Sequence, residues 1–87
     1  MSQPKVEIYT KAFCGYCHRA KRLLADYEAD FTEYDISFGG EDAKVLRERL
    51  PDYRTVPQVF IDGNPVGGSD DLAALAASGK LDELLGR

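Results

Sequence analysis

The chain has 87 residues, a formal net charge of -4, and 44% hydrophobic against 30% charged residues. A chain this short buries only a little over ~60% of its unfolded surface, so residues 1–87 are expected to form one small domain with a thin core. The charge balance argues against binding a phosphate backbone. No apolar run approaches the ~20 residues of a membrane span. The start, Met1-Ser2-Gln3-Pro4-Lys5, enters a strand directly and lacks the apolar core of a signal peptide, so a cytoplasmic protein without nucleic-acid or membrane partners is expected.

Val6, Ile8 and Thr10 alternate with Glu7 and Tyr9, which predicts a first strand. From Tyr16 the period becomes helical, with Tyr16, Ala20, Leu23, Leu24 and Tyr27 on one stripe and His18, Arg19, Lys21 and Arg22 on other faces. Phe31 to Ile36 reads as a second strand. After the break at Gly39-Gly40, Ala43, Leu46 and Leu50 mark a short second helix stopped by Pro51. Val56 to Ile61 reads as a third strand with Pro57 at its start. Asp62-Gly63-Asn64 signals a tight hairpin into a brief edge strand at Pro65-Val66. Gly67-Gly68-Ser69-Asp70-Asp71 leads into a helix carrying Leu72, Leu75 and Ala76, ended by Gly79. Leu81, Leu84 and Leu85 mark a last short helix. The expected order is β-α-β-α-β-β-α-α, an α/β fold.

The only two cysteines, Cys14 and Cys17, stand at C-x-x-C spacing between the first strand and the first helix. The thiolate is the reactive form of cysteine, and helix N-termini and nearby cations favour it. Cys14 comes first and is expected to be the exposed attacking thiolate. Cys17, one turn further in, is the resolving thiol, and Lys11 adds positive charge nearby. Three other readings compete. A zinc site needs four ligands, and only His18 remains as a third soft one. Cys14-Gly15-Tyr16-Cys17-His18 matches the C-x-x-C-H haem attachment pattern, but the sole methionine is Met1, so the usual axial partner is missing. Buried cysteines are often merely packing residues. His18 is expected to face solvent.

Two further segments admit both a plain and a functional reading. Thr55-Val56-Pro57 is either an ordinary strand start or a cis X–Pro turn. Gly67-Gly68-Ser69-Asp70-Asp71 is either a helix start capped by Ser69 or Asp70, or a place where a ligand approaches glycine backbone. In the second case free N–H groups would hold a carboxylate, and Asp70 or Asp71 an ammonium.

Taken in order, the strand-to-Cys14-Gly15-Tyr16-Cys17 junction, Thr55-Val56-Pro57 and Gly67-Gly68-Ser69-Asp70-Asp71 give the chain a resemblance over essentially its whole length to the glutaredoxins, of the small bacterial dithiol type. The resemblance implies a thioredoxin-like fold, a four-stranded mixed β-sheet flanked by α-helices, and a cis Val56–Pro57 bond. It implies glutathione as reductant and co-substrate, with disulfide-containing or glutathionylated proteins as the other partners. The residue matching Val56 would pair with the cysteinyl part of glutathione, beside Thr55 and Pro57. Those matching Ser69, Asp70 and Asp71 would hold the γ-glutamyl end. Lys11 and Tyr16 would line the groove, with Arg54 as a second cation. The likeness to thioredoxin proper is weaker, since Phe13 and Gly15-Tyr16 stand where that family has tryptophan and Gly-Pro.

The resemblance thus implies a glutathione-dependent thiol–disulfide oxidoreductase with Cys14 and Cys17 as its catalytic dithiol, and a monomer is expected because nothing in the sequence demands more. One departure stands out. Glutaredoxins of this type commonly carry proline where this chain has Gly15, and proline is favoured at a first helical position. Some members without it hold a [2Fe–2S] cluster between two subunits. The alternative is therefore a cluster-binding dimer that uses Cys14 and glutathione, with no other metal ligand in the chain. A donor served by thioredoxin reductase is a third reading, opposed by the Ser69-Asp70-Asp71 segment.

Overall fold

A computed structural model describes residues 4–87. Met1, Ser2 and Gln3, part of the run read as leading into the first strand, lie outside the described residues. In chain order the elements are β1 (Val6–Thr10), α1 (Gly15–Asp26), β2 (Phe31–Asp35), α2 (Glu41–Arg49), β3 (Gln58–Ile61), β4 (Asn64–Gly67), α3 (Ser69–Ala77) and α4 (Lys80–Leu84). This is the β-α-β-α-β-β-α-α order expected from the sequence. The strands form one sheet in the order β2-β1-β3-β4. β1 runs parallel to β2, with Val6 opposite Phe31, and antiparallel to β3, with Val6 opposite Ile61. β3 and β4 pair antiparallel through a hairpin. Asp62 and Gly63 both have positive φ, 51° and 81°, the backbone that a two-residue primed turn requires.

The central strands are covered on both faces. Val6 and Ile8 of β1 pack with Ala20 and Leu24 of α1, Val59 and Ile61 of β3, Leu72 of α3, and Leu81 of α4. On the opposite face Tyr9 packs with Ile36, Ala43 and Leu46 of the α2 side, and with Phe60. All five residues of β1 are buried, so its alternation separates two cores and not core from solvent. The edge strands are largely exposed, and Pro65 sits on β4, where no further strand needs its missing N–H.

Glu7 is the cost of this arrangement, and α2 meets it. Arg49 donates to Glu7 Oε1 at 3.1 Å and to the Tyr9 hydroxyl at 2.9 Å, while the Tyr34 hydroxyl donates to Glu7 Oε2 at 3.1 Å. The guanidinium also lies 3.9 Å from the Phe60 ring centroid, and Tyr9 stacks on Tyr34 with centroids 4.9 Å apart. Burial pushes the Glu7 carboxyl up, but hydrogen bonds from Arg49 and Tyr34 outweigh it and leave the group below the usual carboxylate range.

Several sequence expectations shift at this level. Tyr16, placed on the apolar stripe of α1, is 62% exposed; the inward positions of that helix are Cys17, Ala20 and Leu24. Leu84 is 40% exposed, because a five-residue helix turns only Leu81 and the following Leu85 inward. β2 stops at Asp35, although the Ile36 N–H still donates to Thr10 O at 2.8 Å. β3 starts at Gln58, one residue past the cis Val56–Pro57 bond.

Candidate active site

β1 delivers the chain to the carboxyl end of the sheet, and Phe13 turns it with φ of 57° into α1. Cys14 is the N-cap of that helix, in extended backbone (φ -109°, ψ 109°), and its Sγ accepts the Cys17 N–H at 3.2 Å. A sulfur here takes the capping place usually held by a serine or aspartate oxygen, so it receives a donor that the helix itself cannot satisfy. The Cys14 thiol also reaches Val56 O at 3.8 Å, which ties the site to the cis-proline segment. Cys14 is half-buried, whereas Cys17 is 2% exposed. Burial, the hydrogen bond with Cys14 and the Cys14 charge push the Cys17 thiol up to about 11, against a smaller opposing pull from the Lys11 backbone and the Lys21 charge.

This asymmetry has a direct readout. With its pKa near 11, only about 10⁻⁴ of Cys17 is thiolate at pH 7, the form that alkylates. Iodoacetamide at neutral pH is expected to consume one thiol per folded chain, at Cys14, with the second appearing only in denaturant. Mass mapping that finds rapid labelling of Cys17 in the folded protein contradicts the buried assignment.

Gly15 occupies the first helical position. A Cβ placed there meets nothing within 4 Å, and the preceding Cys14 already has the extended backbone that a following proline demands. Gly15→Pro is therefore expected to stabilise the fold by about 0.4–1 kcal/mol, through a less flexible unfolded chain. Denaturant melts showing a loss of stability would mean that the turn needs glycine after all.

Beside Cys14 lies an open groove of about 310 Å³ lined by Tyr16, Thr55, Val56, Pro57, Gln58 and the run Gly67 to Asp71. The structure thus brings together seven of the groove residues expected from the resemblance: Tyr16, Thr55, Val56, Pro57, Ser69, Asp70 and Asp71. The helix start differs from the sequence reading in its cap. Neither Ser69 nor Asp70 caps α3; the N-cap is Gly68, whose N–H donates to Asp71 Oδ2 at 3.1 Å. The two glycines serve close protein contacts here. Gly67 has φ of 104°, and a Cβ on it would drive into the Asp71 carboxylate, while one on Gly68 would press within 3.3 Å of Pro57 O. Asp70 reaches out to Arg19, 3.2 Å away at the surface. The Ser69 hydroxyl is buried without a hydrogen-bond partner at the wall of the groove.

Lys11 is exposed and lines a second cavity, of about 480 Å³, on the β1–α1 side of Cys14. Arg54 is exposed and outside the groove lining. His18 is exposed, as expected, and also borders the second cavity. Sequence reasoning missed what stands in that cavity: Thr10 Oγ1 donates to Glu33 Oε2 at 2.7 Å, and Lys21 Nζ to the same oxygen at 3.0 Å. The visible signal was the four-residue spacing of Cys17 and Lys21, which puts them on one helix face. Sequence reasoning also missed Gln58, whose amide donates to Thr55 O at 2.8 Å in the floor of the groove.

The glutaredoxin family model matches residues 6–66. The chain is 49% identical over 80 residues to glutaredoxin 3 of Escherichia coli strain K12, covering 92% of this chain and 95% of that one. The solution structure of glutaredoxin from Brucella melitensis superposes with a TM-score of 0.82 at 48% identity, over 98% of this chain and 91% of that one. The crystal structure of a buckwheat glutaredoxin–glutathione complex superposes with a TM-score of 0.81 at 32% identity, over 94% and 76% of the two chains. A dithiol at the start of α1, a cis-proline wall and the glycine-led start of α3 thus coincide with a family match spanning most of the sequence, and the chain belongs to the glutaredoxin family.

Proposed function

We propose that residues 1–87 act as one monomeric domain that reduces protein disulfides and glutathione–protein mixed disulfides with electrons from glutathione. The observation that carries this is the pairing of a half-buried thiol and a fully buried one on a single helical turn, at the edge of a groove with an unpartnered hydroxyl. Glutathione has carboxylates at both ends and one ammonium. In this reading the first turn of α3 supplies free N–H groups and the Ser69 hydroxyl to the γ-glutamyl carboxylate, and Asp70 or Asp71 supplies a countercharge to the ammonium. Val56, between Thr55 and Pro57, offers its backbone to the cysteinyl part, and Tyr16 closes the other side. Lys11 reaches the glycyl carboxylate with its flexible stem from the neighbouring cavity. Such chemistry fits a reducing, cytoplasmic setting. Among the described residues no helix is long and apolar enough to cross a membrane.

Cys14 thiolate attacks the glutathione sulfur of a mixed disulfide. The protein sulfur leaves with the bonding electron pair and takes up a proton. A second glutathione then attacks the Cys14–glutathione disulfide and releases Cys14. Holding glutathione in the groove aligns the three sulfurs, a proximity effect. With a protein disulfide, Cys14 forms the mixed disulfide and Cys17 resolves it. The test is a pair of coupled assays, one with glutathione and glutathione reductase, the other with thioredoxin reductase. Turnover in the first is expected; turnover only in the second overturns the glutathione assignment.

A second reading, a [2Fe–2S] cluster held between two chains, is favoured by the open space around Gly15 beside the half-buried Cys14. Among the described residues no group of three or more His, Cys, Asp and Glu is placed to hold a metal, so one chain alone does not fit a cluster. Cys14 from two chains and two glutathione thiols would make the four thiolates required. Anaerobic reconstitution with iron, sulfide and glutathione should then give a brown dimer; a colourless monomer removes this reading.

A further inference from the structure

The second cavity holds charged groups that the glutathione reaction does not use. It is lined by Cys14 and Cys17 at the start of α1, by Lys21 one turn further along, and by Thr10 and Glu33 of the paired strands β1 and β2. Lys21 follows Cys17 by four residues, so the two side chains share a helix face. Its ammonium is kept on that face by Glu33, whose carboxylate also accepts the Thr10 hydroxyl. The Thr10 bond and the Lys21 ammonium hold Glu33 below the usual carboxylate range despite partial burial, so the pair stays charged at neutral pH. Both partners are about one-third exposed, which leaves the field of the cation only partly screened at the buried sulfur.

We propose that Lys21, held by Glu33 and Thr10, is a positioning residue for the dithiol route: its ammonium stabilises the Cys17 thiolate in the step that closes the Cys14–Cys17 disulfide. This rests on the reading of Cys14 as nucleophile and Cys17 as resolving thiol. In that step Cys17 gives its proton to solvent and its sulfur attacks Cys14 Sγ. The Cys14–Cys17 bond forms as the bond from Cys14 to the substrate sulfur breaks. The substrate sulfur leaves with the electron pair and is protonated; Cys17 is oxidised and the substrate sulfur reduced. The other charged or titratable groups facing the cavity are Lys11 from the β1–α1 turn, Cys14 and His18 from α1, and Asp35 from β2. Asp35 accepts both the Ser37 N–H and hydroxyl, at 2.8 and 2.6 Å, which occupies its near oxygen.

The experiment is a single-turnover measurement. Reduced protein is mixed with a peptide disulfide, and formation of the Cys14–peptide species and its closure to the internal disulfide are followed by acid quench and mass spectrometry from pH 6 to 10. For Lys21→Met, the pH profile of closure is expected to move to the alkaline side by up to about one unit; at pH 7 that cuts the thiolate fraction about tenfold, and because the more basic thiolate is about threefold more nucleophilic, closure slows about threefold. Lys21→Arg should restore the profile, Glu33→Gln should displace it partway, and His18→Gln should leave its midpoint in place. In a Cys14→Ser background the alkylation midpoint of Cys17 should move upward with Lys21→Met, a readout that needs no turnover. An equal slowing at every pH, an unmoved midpoint, or failure of arginine to rescue overturns the proposal. If no Cys14–peptide species forms in the unsubstituted protein, the nucleophile assignment itself falls, and this step with it.

Discussion

Cys14→Ser is expected to reduce both disulfide reduction and deglutathionylation to background, a loss of ~10³-fold or more, because the variant keeps only a buried thiol. A serine hydroxyl at the same N-cap would still accept the Cys17 N–H, so the fold should survive. Cys17→Ser should separate the two activities. It removes the sulfur that closes the internal disulfide and leaves the Cys14–glutathione exchange in place, so deglutathionylation continues while protein disulfides stall as mixed species. The decisive measurement is the rate on a glutathionylated peptide for both variants. Residual activity in Cys14→Ser, or equal loss in both, contradicts the division of labour inferred from burial and from the depth of the two positions in α1.

Arg49→Met is expected to destabilise the fold strongly although it lies outside the redox site. It leaves Glu7, whose side chain is only 7% exposed, with Tyr34 as the remaining hydrogen-bond donor and only the exposed Lys5 ammonium, 4.0 Å away, as a cation. Breaking a buried pair by removing one partner costs about 3–5 kcal/mol; with a quarter of the arginine in contact with solvent, about 2–3 kcal/mol is expected. In a domain of this size that lowers the melting temperature by on the order of 10–20 °C. Acid should act on the same pair. The folded Glu7 binds its proton less readily than the unfolded one, so its contribution is full above the ordinary value of 4.5 and is lost as pH falls through the lower folded value. Glu7→Gln should remove that part of the acid sensitivity. Thermal melts of Arg49→Met within a few degrees of the parent would show that the network does not support the fold.

The order of elements was legible because strand alternation, helical stripes and glycine punctuation agree along most of this chain. The Asp62-Gly63 turn is a clear case, where the dipeptide alone specifies the positive φ values found. The dithiol was equally legible, since spacing and position at a strand–helix junction need no tertiary knowledge. What escaped was set by contacts between distant segments. β1 reads as an alternating strand, yet both its faces are covered, because α2 packs on the side that carries Glu7 and Tyr9. The pairing of Glu7 with Arg49 spans 42 residues, and nothing local announces it. The cap of α3 was misread for a related reason. Ser69 and Asp70 are good capping residues, but the carboxylate that folds back is that of Asp71, and the side-chain-free backbone at Gly67 is what admits it. Lys11 was placed in the groove by likeness, whereas it borders the neighbouring cavity.

The hairpin and both ends of the described chain share one address. The Lys5 N–H donates to Asp62 Oδ1 at 2.9 Å, and a Cβ on Gly86 would sit 4.0 Å from Pro4 Cδ. Cys14 lies beyond the other end of β1, the length of the strand away, which for five residues is roughly 16 Å. Any polypeptide, tag or surface tether attached at Pro4 or Gly86 therefore departs from the pole opposite the sulfur. A fusion partner can ride behind this unit without shading the face where electrons are exchanged.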